Sequence, residues 1–302
     1  MQTETQSPRL LALAALAAAG LFTAVTGFAQ QPPSAVFRPA LLETSAGNYS
    51  YSTKSDLDHG GVVGGVAVHH AEVSLSGRHE LRTGLQLAYG LGYDTNLLLA
   101  DAAVPLPDQL SVLSVNFGLI RTLDPDWTMA LFARPGFYSD FKQLGTRSLN
   151  VPVLLTANYT AGPDLTWTFA LSLNAFAKNP VLPVLGVRWQ FAPDWEFDLG
   201  FPRTGITRRL GDGLALRADA SFQGGSYRVM HAPAVMPALG GTLLDYREIR
   251  IGAGLDFKLA DATTLSVDAG LVADRRFDYH QRGYRLDGDT AGFLKISFRA
   301  RF

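Results

Sequence analysis

Apolar and polar side chains alternate with a period of two along most of the chain after about residue 66. The pattern is regular in residues 195–201, 214–223, 248–257 and 265–271, where one set of alternate positions is almost entirely apolar. Because successive side chains of a β-strand point to opposite faces, this period predicts strands with one apolar and one polar face.

The connections between these segments differ in length in a regular way. Each short connection contains Gly, Pro or Asp, the residues that favour tight turns. The predicted short turns are residues 76–79, 123–126, 161–164, 192–194, 211–213 and 260–262. The longer connections lie near residues 90–109, 138–147, 227–245 and 277–288. Alternation of short turns with long loops is typical of a transmembrane β-barrel, with the short turns on the periplasmic side.

Alternation alone also fits a soluble β-sandwich, so other features must separate the two folds. Trp127, Trp167, Trp189 and Trp195 all lie within a few residues of a predicted short turn. Tryptophans at one level form the aromatic girdle of a membrane barrel. The polar face is also rich in glycine and charged residues, which favours a barrel lumen.

The N-terminal segment has the composition of a secretory signal peptide. Arg9 precedes an apolar run over residues 10–25, and Gly27 and Ala29 occupy the −3 and −1 positions of a cleavage site after Ala29. A retained transmembrane anchor is the alternative interpretation of this run. The sequence therefore predicts a signal peptide at residues 1–29 and an outer-membrane barrel at residues 30–302, with no further helical span.

Charge and cysteine content exclude several functions. The net charge of −1 provides no basic surface for nucleic acid, which we do not expect as a partner. The chain has 0 Cys, which excludes disulfides, thiolate metal sites, a cysteine nucleophile and the lipid attachment of a lipoprotein.

Residues 294–302 alternate without interruption and end on Phe302. This segment resembles the C-terminal strand of bacterial outer-membrane proteins, in which a terminal aromatic residue is recognised by the assembly machinery. The resemblance implies a porin-like barrel of a poorly characterised family in the outer membrane of the Gram-negative cell envelope. Its partners would be outer-membrane lipid and the barrel assembly machinery, with Phe302 as a targeting residue.

The number of alternating segments sets the size of the barrel. About thirteen strands follow residue 65, and a further strand around residues 38–51 makes fourteen, an even number as single-chain bacterial barrels require. Twelve is the alternative, because residues 195–210 could be one irregular excursion. The predicted fold is all-β, a transmembrane antiparallel up-and-down barrel.

Charged residues on the polar face are the candidate pore-lining residues. A tight hairpin at residues 192–194 would place Arg188 opposite Asp198. The complete set is Arg188, Asp198, Arg217, Asp219, Arg250, Asp268, Lys295 and Arg299. Rings of charged side chains tune pores, so we predict passive, porin-like passage of small solutes.

Two other functions fit the same sequence. A structural or surface-interaction barrel would have an occluded lumen and would bind through its outer loops, chiefly residues 227–245. A channel for hydrophobic compounds would use the apolar residues of the connections. These residues are Leu97, Leu98, Leu99, Val104, Leu106, Val235, Met236 and Leu239.

No motif indicates an enzyme, a cofactor or a metal site. Adjacent His69 and His70 on a strand would point to opposite faces and could not share an ion. His231 and His280 fall in predicted loops without a G-x-S-x-G nucleophile motif. We therefore predict no catalytic, cofactor-binding or metal-binding residues.

Overall fold

A computed structural model describes residues 42–302 of the chain. The predicted signal peptide, residues 1–29, lies outside these residues. None of the helices among residues 42–302 is both long enough and apolar enough to cross a membrane. The strands are β1 Thr44–Asp58, β2 Val62–Arg82, β3 Leu85–Ala100, β4 Gln109–Thr122, β5 Trp127–Ala133, β6 Gly136–Ser139, β7 Leu149–Asn150, β8 Val153–Gly162, β9 Leu165–Leu173, β10 Val181–Ala192, β11 Trp195–Leu199, β12 Arg203–Arg209, β13 Leu214–Val229, β14 Thr242–Ala260, β15 Thr263–Tyr279, β16 Tyr284–Gly288 and β17 Ala291–Arg301. Two short 3-10 helices, Thr146–Ser148 and Pro237–Leu239, lie in the connections.

The seventeen segments form one closed antiparallel barrel of fourteen strands, because three strands are each interrupted once. β5 and β6 form one strand, because both pair with β4. β7 and β8 form the next strand, because they pair with β6 and β5, and β16 and β17 form the last one, because both pair with β1. The pairing of β1 with β17 and β2 closes the sheet. The all-β fold and the count of fourteen are confirmed.

The turns that follow β2, β4, β8, β10, β12 and β14 lie at one end of the barrel, together with the chain termini of β1 and β17, whereas short turns at residues 59–61 and 200–202 lie at the other end. Most of the first set fall where the sequence predicted short turns, but residues 76–79 are not a turn. β2 continues through them to Arg82, and its hairpin with β3 turns at residues 83–84, where Gly84 adopts a φ of 73°. The error arose because a Ser-Gly pair within a strand has the composition of a turn. Correspondingly, β3 continues to Ala100, and the predicted connection near 90–109 shrinks to residues 101–108.

The apolar face of the strands points outward. Exposed apolar side chains form a belt around the barrel, including Leu91, Phe117, Leu185, Ile251 and Leu271. Near the short turns, aromatic rings pack on this face: Trp127 stacks on Tyr159 at 4.9 Å, and Phe191 lies between Trp189 and Trp195. This arrangement is the aromatic girdle that the tryptophan positions predicted.

The barrel wall is much taller on one side than on the other. β14 has 19 residues, whereas β12 has 7. At about 3.3 Å per residue these lengths correspond to roughly 60 Å and roughly 23 Å. The tall strands therefore extend well beyond a hydrocarbon layer of about 30 Å. At the end of the barrel that carries the long loops, β13 extends beyond the short strands and pairs directly with β6, at Arg228 and Ser139. Because this pairing bypasses β7 to β12, the outer part of the barrel is narrower than the inner part.

The only large cluster of buried apolar side chains among the described residues fills this narrow outer part. Its largest members are Tyr227, Tyr246, Phe277 and Tyr279. The interior of the barrel is thus polar near the short turns and apolar near the long loops.

Candidate functional site

The wide inner half of the lumen carries exposed charges on its wall. Arg188 on β10 is paired in register with Asp198 on β11, as predicted. Its Nε lies 2.9 Å from Asp198 Oδ1 and 3.6 Å from Glu196 Oε1, and 65% of its side chain is exposed. Arg209 also reaches Glu196, at 3.4 Å. Two cations and two carboxylates therefore alternate on this part of the wall.

A second cluster surrounds Arg217 on β13. Its guanidinium is 2.7 Å from Asp219 and 2.6 Å from Asp256, and it also bonds Asp268. Asp268 is paired across the strands with Lys295, which gives the cluster a second cation. The structure thus brings together four of the eight predicted pore-lining residues and adds Asp256, which follows the same alternation on β14.

Arg250 does not line an open passage. It is 2% exposed and belongs to a buried network centred on Glu248, which is fully buried. Glu248 Oε2 accepts bonds from Arg250 Nη2 at 2.7 Å and Nε at 2.9 Å, and Glu248 Oε1 accepts one from Arg275 Nε at 2.8 Å. Both arginines also bond serine hydroxyls of β1, Arg250 those of Ser50 and Ser52 and Arg275 that of Ser55. Arg275 Nη1 also donates to the backbone carbonyl of Val66 at 2.8 Å.

The sequence did not single out Glu248 or Arg275. Continuing the alternation of β15 upward from Asp268 would place Arg275 on the outer face. The register between β14 and β15 shifts at Ala273, because Ile249 pairs with Asp274 while Arg250 pairs with Val272. An irregularity of this kind exchanges the two faces of a strand, and Arg275 therefore points inward.

Above this network the lumen is closed. Tyr246 and Phe277 stack with centroids 4.9 Å apart, and both are buried. Opposite walls also meet directly, since Asn96 of β3 donates a bond of 3.1 Å to Tyr227 Oη of β13. We call the network around Glu248 together with this apolar cluster the outer plug.

Of the apolar residues predicted to lie in connections, Leu97, Leu98 and Leu99 belong to β3 instead, and Leu99 is exposed. Leu98, Val104, Leu106 and Leu239 are buried in the apolar cluster, whereas Val235 is exposed. Tyr279 Oη donates to the carbonyl of Pro105 at 2.8 Å, which ties the loop of residues 101–108 to β15. A cavity of about 370 Å³ opens beside this loop, lined by Leu98, Val104, Leu106, Asp140, His231 and Val235.

The last strand has the sidedness expected for it. Lys295 and Arg299 lie on the lumen face, in register with Ser50 and Ala46 of β1. The outward residues Leu294 and Ile296 are about half exposed. Phe302 is 59% exposed, and its backbone N–H donates to the carbonyl of Glu43 at 2.8 Å.

A family model described as "Domain of unknown function (DUF6268)" matches residues 99–286, more than half of the chain. The chain belongs to this family. The match includes Arg188, Arg217 and all three charged residues of the buried network, so the features described above lie largely within the family region. No curated protein sequence matches the chain.

Solved structures resemble the chain over most of its length. The deltaS2 mutant of TodX, a monoaromatic hydrocarbon channel, has a TM-score of 0.53 at 12% identity and covers 88% of this chain and 91% of its own. The deltaS2S3 mutant of TodX has a TM-score of 0.53 at 11% identity, with coverages of 88% and 92%. An outer-membrane channel of the COG4313 group from Pseudomonas putida F1 has a TM-score of 0.45 at 12% identity, with coverages of 90% and 100%.

The TodX resemblances, at such low identity, concern the fold. They agree with the closed β-barrel described above. The protein is a closed β-barrel of fourteen strands, and its outward apolar belt and aromatic girdle are typical of a transmembrane barrel.

Proposed function

We propose that this family member is an outer-membrane channel for passive passage of small polar solutes, and that its outer plug closes it in the conformation described here. The proposal rests on the mixed charges of the inner lumen, of which Arg188, with 65% of its side chain exposed, and its partly buried partner Asp198 are the clearest. An interior that served only to fill a barrel would bury these charges or replace them with apolar side chains.

The charge pattern predicts the kind of solute. Cations and carboxylates are interleaved at Arg188, Glu196 and Asp198, and neither sign dominates. A pore lined in this way selects by size and hydrogen bonding more than by net charge. We therefore expect small neutral or zwitterionic solutes and weak ion selectivity.

Opening requires movement of the outer plug. The loops of residues 101–108 and 230–241 contribute Val104, Leu106 and Leu239 to the apolar cluster. Displacement of these loops would connect the polar inner half of the lumen to the outer surface. The proposal also includes the route of the protein to the membrane. The chain would be exported with cleavage after Ala29, inserted by the barrel assembly machinery and surrounded by outer-membrane lipid.

Conductance in planar bilayers tests the proposal. We expect the wild-type protein to give rare, small steps in simple salt, and the double variant Tyr246→Ala/Phe277→Ala to give larger and more frequent ones. Leu271→Ala is the matched control, because this residue lies on β15 with its side chain on the outer face. Folded proteins that give no steps in either form would refute the channel.

The outer plug itself favours a second function. Its continuous apolar packing suits a structural or surface-interaction barrel with a permanently occluded lumen, which would bind through the loop of residues 230–241. Absence of conductance together with retained folding is the outcome that this function predicts.

A channel for hydrophobic compounds is a third function. It is supported by the apolar side chains of Leu98, Val104 and Leu106 in the otherwise mixed lining of the 370 Å³ cavity, and by the fold resemblance to TodX, a monoaromatic hydrocarbon channel. Binding of a small aromatic probe that is lost in Val104→Asp, without loss of folding, would favour this function over passage of polar solutes.

A further inference from the structure

A histidine and two carboxylates lie together on the lumen wall just beneath the outer plug. They are His70 and Glu72 of β2 and Asp94 of β3, and one potential ligand atom from each lies within 4.8 Å of the other two. His70 Nε2 is 3.9 Å from Asp94 Oδ2. Glu72 and Asp94 are paired directly across the two strands. Ligand atoms at about 2.0–2.2 Å from one ion lie at most about 4.4 Å apart. A small movement of the side chains would therefore bring all three ligand atoms within reach of one ion.

The hydrogen bonds of His70 leave one ring nitrogen available. His70 Nδ1 is 3.2 Å from Asn96 Oδ1. Asn96 is oriented by its own bonds, since its Nδ2 donates to Tyr227 Oη at 3.1 Å and its Oδ1 accepts from Gln223 Nε2 at 3.4 Å. With an oxygen facing it, Nδ1 carries the proton, and Nε2 presents its lone pair towards Asp94. Metal-binding histidines are held in this way, by a second group that accepts the other ring N–H.

Glu72 is held in a similar manner. Asn48 Nδ2 donates to Glu72 Oε2 at 2.7 Å. The other amide atom, Asn48 Oδ1, is buried and has no hydrogen-bond partner among the described residues. A buried acceptor without a partner is uncommon in proteins and indicates a place where a further ligand or its water fits.

The charges of the cluster also favour a cation. Two carboxylates placed directly opposite each other on neighbouring strands repel, and a cation bound between them removes this cost. Arg134 and Lys295 lie near enough to act electrostatically on Asp94 and Glu72, but among the described residues neither forms an ion pair with these two carboxylates, and Arg134 Nε donates instead to Ser114 Oγ at 2.9 Å. One imidazole and two carboxylates are ligands that zinc and other first-row divalent ions accept in proteins.

We propose that His70, Glu72 and Asp94 form a binding site for a divalent first-row transition-metal ion, with Zn²⁺ as its representative. The side chain of Asp94 is 20% exposed, so an ion reaches the site from the polar inner half of the lumen. The site lies next to Tyr227 and Asn96, which join opposite walls, and a bound ion would strengthen the closed conformation. Metal binding is independent of whether the barrel conducts.

The sequence pattern did not predict this site, because its ligands come from two strands. The adjacent pair His69 and His70 does point to opposite faces, with His69 outward against Tyr49 Oη at 2.6 Å. The relevant spacing is His70-x-Glu72, which places two ligands on one face of β2. The third ligand comes from the neighbouring strand, and only the register of β2 with β3 brings it opposite Glu72.

Isothermal titration of chelator-treated, detergent-folded protein with Zn²⁺ tests the site. We expect a tight binding phase of one ion per chain that weakens at least tenfold in His70→Ala and in Asp94→Asn. His69→Ala is the matched control and should leave the phase unchanged, because its ring lies on the opposite face of the same strand. A heat-modifiable gel shift confirms that each variant is folded.

A spectroscopic readout separates the site from weaker binding elsewhere. Cu²⁺ bound to the wild-type protein should show nitrogen coupling in its electron paramagnetic resonance spectrum, and His70→Ala should lose that coupling while His69→Ala keeps it. Equal Zn²⁺ affinity in His70→Ala and the wild type, or no binding phase in the folded wild type, would overturn the proposal. Neither result depends on the conductance measurements that test the proposed function.

Discussion

Removing the charge of Glu248 should destabilise the barrel far more than the same change at a carboxylate of the open inner half. Glu248→Gln keeps the side-chain volume but leaves Arg250 and Arg275 facing each other without a carboxylate. Glu248 and Arg275 are fully buried and Arg250 is 2% exposed, so water cannot replace the lost partner. Removing one partner of a buried pair costs about 3–5 kcal/mol. Both arginines retain their serine bonds, and Arg275 also retains its backbone bonds, which places the expected loss near the lower value, about 3 kcal/mol.

The assay is equilibrium unfolding in urea with the barrel in detergent or lipid, followed by tryptophan fluorescence. Glu196→Gln is the matched control, since Glu196 also lies between two arginines but in the open inner half. Exposed pairs contribute little, and we expect the control to lose less than about 1 kcal/mol.

A double-mutant cycle identifies the source of the loss. In an Arg275→Met background one of the two opposing charges is gone, and Glu248→Gln should then cost clearly less than in the wild type. Equal losses for Glu248→Gln and Glu196→Gln would refute the buried network as the element that holds the outer plug together.

Three further predictions follow from other parts of the barrel. Arg217→Met leaves three carboxylates without their shared cation and should cost about 3 kcal/mol or more in the same unfolding assay, and a loss below about 1 kcal/mol would contradict the cluster. In the outer loops, burial raises the pKa of Asp140, whose Oδ2 accepts the backbone N–H of His231 at 2.7 Å. Because the folded pKa is the higher one, acidification from neutral pH should increase hydrogen-exchange protection of the 230–241 loop, and Asp140→Asn should abolish this dependence. Phe302→Ala keeps the backbone bond to Glu43 but removes the ring, and should lower the fraction that reaches the heat-modifiable, assembled form in cells; unchanged assembly would refute the targeting role.

Much of the fold was predictable because its determinants are local. Alternation at residues 294–302 is sufficient to assign Leu294 to the lipid and Lys295 to the lumen, since a strand has only two faces. The turn residues at 192–194 fix the pairing of Arg188 with Asp198 in the same way. The error at residues 76–79 shows the limit of this approach, because a Ser-Gly pair has the same local preference in a turn and in a long strand.

The closed state of the lumen could not be predicted, because it depends on contacts between distant strands. Arg250 bonds Ser50, 200 positions away in the chain, and Asn96 meets Tyr227 across the lumen. One register shift at Ala273 decides that Arg275 faces inward, and a single extra residue leaves almost no trace in an alternating pattern. The sequence by itself determined the barrel, its size and the faces of its strands. Apart from the pair of Arg188 with Asp198, the tertiary structure alone decided which lumen residues meet, and so produced both the outer plug and the His70–Glu72–Asp94 cluster.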